Sequence, residues 1–221
     1  MTSPIITKSP SKAASYISEG RIIAFPSNTS YGLAVNALDG HALQRLRNLK
    51  NRSDEKTFTI FLAPAIQSKY LDLTDTEQRI ISKMTNKPLT LLVKPKASLQ
   101  HLAKKGLIGL RVIDHSLMKK LAIQTMLPLT ATSANKTGKP PCSSPQCIIK
   151  AFPGLLPDNE LNEPDPQGAS GTTYDLSLAA ILDAGKLPQS QATTIAQLLN
   201  TKVKIIRSGA VSKEDLENIL P

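Results

Sequence analysis

The stretch IIAFPSNTSYGLAVNA, Ile22 to Ala37, sets an apolar run against a turn built of hydroxyls and an amide. Ile22, Ile23, Ala24 and Phe25 read as a buried strand spanning 21–26, ended by Pro26. Ser27, Asn28, Thr29 and Ser30 then crowd donors and acceptors directly behind that strand, a set suited to a small zwitterion. Alone, it is an ordinary strand-end turn, and its weight depends on what surrounds it.

Outward from it, β-rich runs bounded by turn residues fall at 57–63, 89–95, 108–113, 129–132, 180–183 and 203–207. Amphipathic stretches at 11–18, 40–49, 75–86, 116–126, 145–152 and 213–220 lie between them as helices. The mixture argues for an α/β (α+β) domain rather than a bundle or a sandwich. Thr74 stands three residues before Glu77 and Ser212 three before Asp215, so each is placed to cap a helix's first turn. Residues 155–174, rich in Pro, Gly, Asp, Asn and Glu and without apolar periodicity, read as a surface loop or insertion.

The 221 residues and 23.8 kDa suit one domain. Apolar residues at 40% and charged residues at 20% describe a globular chain, and no window approaches the ~18 apolar residues of a membrane helix. The opening MTSPIITKSP lacks the basic and apolar regions of a signal peptide, so a cytoplasmic location is expected. Cys142 and Cys147 and three scattered histidines make neither a disulfide framework nor a zinc set by pattern, and Cys142 is expected to pack as a small hydrophobe. His101 and His115, general bases by residue type, fall in none of the polar clusters.

Charge is unevenly placed. Of 27 Lys and Arg, eleven lie between 86 and 150, where Asp114 is the single acid, whereas 151–221 is net acidic. Gathered on one face, that excess attracts phosphate, in a nucleotide or in a nucleic-acid backbone. With no Trp and 4% aromatics, an RNA contact would rest on backbone and shape rather than stacking.

The common phosphate-loop, dinucleotide, zinc-protease and hydrolase signatures are absent. Two further polar clusters remain. Lys50-Asn51-Arg52 closes the second helix; two residues apart, the cations share a side only in a non-helical segment, and they also suit a helix C-terminus, where they offset the dipole. Thr130-Ala-Thr-Ser-Ala-Asn135 ends a strand in small donors and acceptors at a sheet's carboxyl edge, where such folds bind ligands.

Together and in order, these clusters resemble the Sua5/YrdC/YciO family of threonylcarbamoyl-adenylate synthases. The likeness runs from about Ser11 to Gly209. Its pieces are IIAFPSNTSYGLAVNA against the family's P-T-E-T-x-Y-G-L, the K-x-R at Lys50 and Arg52, PLTLLV from Pro88, and GLRV from Gly109. After them come SANKTGKPPC with its S-x-N, Asp183-Ala-Gly185, Thr193-Thr194, and IIRSG from Ile205. The resemblance implies a single YrdC-like domain over 11–221 after a 1–10 tail, with the insertion at 155–174. Its fold would be a twisted mixed β-sheet flanked by helices around a basic concave cavity.

The resemblance further implies a reaction of L-threonine, bicarbonate or CO2, and ATP, giving threonylcarbamoyl-AMP and pyrophosphate. That product serves threonylcarbamoyladenosine formation at position 37 of tRNA by a separate transferase complex. Catalysis falls to Lys50, Arg52, Ser133 and Asn135, and threonine to Thr29 and Arg111. Thr132, Thr193 and Arg207 join Lys50, Arg52, Ser133 and Asn135 around the nucleotide, and Mg2+ travels on the ATP phosphates. Two departures are Ser27 and Asn28 in place of the family's Thr and Glu. The alternative is a non-catalytic, YciO-like paralogue acting as a double-stranded RNA or tRNA binding module, favoured by the basic middle third and the missing glutamate.

Overall fold

The computed structural model describes residues 4–53, 55–152, 178–199 and 202–220. Elements are numbered in chain order. Across the sheet the strands run β1 (Ile5–Thr7), β9 (Leu178–Leu182), β2 (Ile22–Pro26), β3 (Tyr31–Ala34), β8 (Leu129–Ser133) and β4 (Thr59–Phe61). The order continues through β7 (Ile108–Arg111), β6 (Leu89–Pro95), β10 (Thr194–Leu199) and β11 (Lys202–Arg207), while β5 (Leu71–Asp72) pairs with β6. Parallel pairs β1/β9, β2/β9, β4/β7 and β6/β10 stand among antiparallel ones, so the sheet is mixed as expected.

All five residues of β2 are buried, which explains why that segment reads as an unbroken apolar run. Helices α1 (Pro10–Ser18), α2 (Gly40–Lys50) and α5 (Ser116–Thr125) pack against it. Beneath the following turn the Phe25 and Phe61 rings lie 4.8 Å apart. Gly32 presses on the Phe25 ring: a Cβ there would come within 2.7 Å of Cζ, so the backbone of β3 approaches as only glycine allows.

Local chemistry sets the helix ends. Ser9 caps α1 by accepting the Lys12 N–H, with Pro10 in the first turn. The boxes expected at Thr74/Glu77 and Ser212/Asp215 both form, at α4 (Asp75–Lys83) and α7 (Lys213–Glu217). Asp39 caps α2, which stops at Asn51 in the left-handed region at φ 49°.

Several expectations need correcting. Ile5–Thr7 is no tail: it pairs in parallel with β9, and α1 begins at Pro10. Strands β1, β3, β5 and β10 and the single turn α3 (Gln67–Tyr70) had no clear period of their own, being too short or hidden beside turns. Cys142 does not pack as a free thiol. It is disulfide-bonded to Cys147, with 5.4 Å between Cα atoms, because the Ser144 cap and Pro145 fold the chain back into α6 (Pro145–Ala151). The 155–174 insertion lies outside the described residues. No described helix is long and apolar enough to cross a membrane.

Candidate nucleotide and amino-acid site

The carboxyl ends of β2, β8 and β7 open into a cavity of about 1320 Å³, larger than the ~300 to 1,000 Å³ of common small-molecule sites. Arg52, Arg111, Lys186 and Arg207 line it together with Ser27, Thr29, Thr132, Ser133 and Thr193. Among the described residues, no Asp or Glu joins the lining. Cations, hydroxyls and no carboxylate make a cavity for a polyanion.

At one end the turn after β2 is tied by its own hydroxyls. Ser27 Oγ donates to the Ser30 carbonyl at 2.8 Å and lies 3.1 Å from Thr29 Oγ1. The Asn28 N–H donates to Asp114 at 3.3 Å, while its side chain donates to the Asn86 carbonyl at 3.1 Å. Asn28 therefore does not line the cavity, and the amide in place of a carboxylate changes a loop contact rather than the lining.

Arg111 joins this turn to the opposite wall. It forms an ion pair with the buried Asp114 and a hydrogen bond to Thr193 Oγ1, and its own side chain is 12% exposed. Its Nε is buried with no hydrogen-bond partner among the described residues. Arg207 donates from Nε and Nη2 to the Thr193 carbonyl at 3.1 and 2.7 Å, so two guanidiniums hold one threonine. Burial, and then the Arg111 charge, push the Arg207 guanidinium below its ordinary pKa.

At the other end Lys50 and Arg52 diverge. Lys50 closes α2 and is 2% exposed; its ammonium donates to the carbonyls of Ser133 and Asn135 and to Asn135 Oδ1. Burial first, then the Arg52 charge, lower its pKa to about 8. Beyond the left-handed Asn51, Arg52 donates to the Thr57 carbonyl at 2.6 Å and stacks 5.0 Å over the Phe58 ring. The two cations thus do not project to one side: Arg52 lines the cavity and Lys50 braces the S-x-N turn from behind.

Seven of the nine expected site residues line this one cavity: Thr29, Arg52, Arg111, Thr132, Ser133, Thr193 and Arg207. Lys50 and Asn135 stand directly behind its wall. His101 bonds the Ala37 carbonyl and His115 caps α5, both away from the lining. Asp183 accepts the Gly185 N–H in a turn, a structural role. Of the crossing segment 184–193, sequence reading missed residues 186–192. Tyr31 Oη donates to the Gly185 carbonyl and accepts the Ala184 N–H, each at 2.9 Å, and Ser190 donates to the Asn28 carbonyl. Lys186 belongs to that segment. Its only signal was position, between two recognisable blocks.

Comparison with known proteins defines the class. The Sua5/YciO/YrdC domain model, described as "telomere recombination", matches residues 15–158, and the chain belongs to that family. Within it, a relative named putative threonylcarbamoyl-AMP synthase, from Methanocaldococcus jannaschii, is 29% identical over 90% of this chain and 85% of its own. The threonylcarbamoyl-AMP synthase of Bacillus subtilis is 26% identical over the full chain, which spans 59% of that relative's length. Among solved structures, Pyrococcus abyssi Sua5 complexed with L-threonine has a TM-score of 0.79 at 24% identity, covering 99% of this chain and 61% of that one. E. coli YciO has a TM-score of 0.72 at 19% identity, covering 96% and 97%. These two likenesses speak for the fold.

Proposed function

We propose that this chain is an L-threonylcarbamoyladenylate synthase. The observation that carries the reading is a cavity without a carboxylate among its described lining residues, lined by Arg52 and Ser133 and by Arg111, Thr29 and Ser27. It has the charge for ATP and separate donors for an amino acid, and the relatives' names supply the same chemistry.

Arg111, which lines the cavity beside Ser27 and Thr29, receives the threonine carboxylate. Thr29 and Ser27 offer hydroxyls to its polar groups. The threonine amine adds CO2, loses a proton and becomes a carbamate. A carbamate oxygen attacks the α-phosphorus of ATP, the bond to the bridging oxygen breaks, and pyrophosphate leaves. Negative charge grows on the leaving group, so a fixed cation and neutral donors lower the barrier without a nucleophilic side chain. Arg52 and Ser133 face the phosphates, Lys50 and Asn135 hold that turn in shape, and Thr193 and Arg207, on the wall that Arg111 joins to the turn after β2, reach the nucleotide from the opposite side. Mg2+ fits as the counter-ion of ATP, held by the phosphates, since no described carboxylate lines the cavity.

By this reading the adenylate feeds threonylcarbamoyl transfer to position 37 of tRNA in the cytoplasm, and the basic middle of the chain faces the RNA. The test is product analysis: incubation with Mg-ATP, L-threonine and 13C-bicarbonate, followed by mass spectrometry. A labelled threonylcarbamoyl-AMP is expected. Unconsumed ATP, with tight salt-sensitive binding to structured RNA, would point instead to a binding module.

A further inference from the structure

We propose that the Cys142–Cys147 disulfide is a thiol-responsive clasp on one wall of the cavity. These are the chain's two cysteines, and they are joined across a turn that runs from the S-x-N segment into α6. Cys142 is 1% exposed, and its backbone is built into the site. Its N–H donates to the Ala134 carbonyl at 3.1 Å, and its carbonyl accepts the Tyr31 N–H at 2.8 Å. Next door, Ser143 accepts the Leu187 N–H at 2.8 Å, which ties the same turn to the crossing segment. Pro141 and Ser143 line the cavity, and Asn135 donates to the Lys139 carbonyl. The turn thus touches Ala134 and Asn135, Tyr31 and the 184–193 segment at once. Linking its far end to α6 fixes all three.

The two sulfurs are unequally reachable. Cys147 borders a shallow surface depression with Ser144, Gln146 and Lys150, whereas Cys142 is sealed. A dithiol reductant therefore attacks Cys147 Sγ. The S–S bond breaks, a mixed disulfide forms on Cys147, and Cys142 leaves as a thiolate that takes up a proton. The reductant's second thiol then displaces Cys147 and closes its own disulfide, so two electrons pass to the protein and the reductant is oxidised. Reduction leaves residues 139–144 held by hydrogen bonds and packing without the covalent link, and the wall opens more often.

The effect on the nucleotide rests on the synthase reading; the effect on the wall does not. The full chain, purified without reductant, is compared with the same protein in dithiothreitol and with C147S, which breaks the bond while leaving the sealed Cys142 in place. Alkylation with mass spectrometry is expected to find both thiols blocked before reduction and free after it. Amide hydrogen exchange at Tyr31, Cys142 and Leu187 is expected to rise ~10-fold or more in the reduced protein and in C147S, with Leu91 and Ala180 unchanged. ATP affinity, by calorimetry, is expected to fall about 5-fold in step. Free thiols in the protein as purified, or equal exchange in both states, would overturn the clasp. Raised exchange with equal ATP affinity would overturn its coupling to the site. Raised exchange with no ATP binding in either state would uphold the clasp and count against the synthase.

Discussion

Lys50 donates its buried ammonium to the Asn135 carbonyl 2.6 Å away, joining the end of α2 to the turn after β8 across 85 residues of chain. The same ammonium reaches the Ser133 carbonyl, so both polar residues of S-x-N take their backbone position from one lysine. K-x-R and S-x-N are therefore a single structural unit.

Replacing Lys50 leaves the Asn135 carbonyl buried without its donor and removes one of two donors from the Ser133 carbonyl and from Asn135 Oδ1. Lys50→Met is expected to cost about 2 to 4 kcal/mol of stability and most of the activity. Arg52→Ala, whose partners are the backbone of a surface turn and the Phe58 ring, is expected to cost under ~1 kcal/mol. Urea denaturation of the two variants checks the contrast; equal stability losses would contradict it.

The lowered pKa of Lys50 gives pH dependences of opposite sign. Between about 8 and its ordinary 10.5, the folded chain has released a proton that the unfolded chain still binds, so this group adds stability as pH rises through that window. Over the same rise the cavity wall loses a positive charge. ATP affinity is therefore expected to fall severalfold from pH 7 to pH 9 with a midpoint near 8, and Lys50→Met is expected to flatten that step. Calorimetric titration with ATP alone at a series of pH values measures it.

Asp114 is the single acid in the basic middle third, and it is buried against Arg111. It also accepts the Asn28 N–H, so one carboxylate orients the arginine and anchors the turn. Asp114→Ala is expected to cost about 3 to 5 kcal/mol, because the guanidinium is left buried and unpaired. Asp114→Asn keeps the shape and is expected to raise the threonine KM more than it lowers kcat, since Arg111 loses its fixed direction. Steady-state kinetics with varied threonine separates the two.

Gly209 lies against the 192–194 backbone: a Cβ there would stand 2.5 Å from the Thr194 nitrogen and closer to the Ala192 carbonyl. Backbone on both sides leaves no room to yield. Gly209→Ala is expected to push Thr193 off its two arginines, lowering stability by about 1 to 3 kcal/mol and weakening ATP binding. Thermal denaturation with and without ATP reads both effects.

Much of this was legible in the residues. The apolar run of β2, the capping pairs at Thr74 and Ser212, and the K-x-R and S-x-N blocks declare themselves because each is local: a period, a cap, a spacing. What stayed hidden depends on distant contacts. Nothing near Lys50 says that its ammonium turns inward, since its partners lie 83 and 85 residues on. Ile5–Thr7 looks like a tail until β9 pairs with it. Cys142 and Cys147 form a bond that spacing alone does not announce, because the turn between them decides the distance. Lys186 carries no motif and reaches the cavity only because Tyr31 and Ser190 hold its segment across the opening.

The central claim is that this cavity couples an ATP phosphate to an amino acid held at its other end. Pyrophosphate release from Mg-ATP and bicarbonate, with L-threonine, with L-serine, with neither, and with Arg52→Ala, tests it most directly. Release is expected to depend on threonine, to be poorly supported by serine and to fall by about 100-fold or more in the variant. Release independent of threonine, or wild-type turnover in Arg52→Ala, would contradict it.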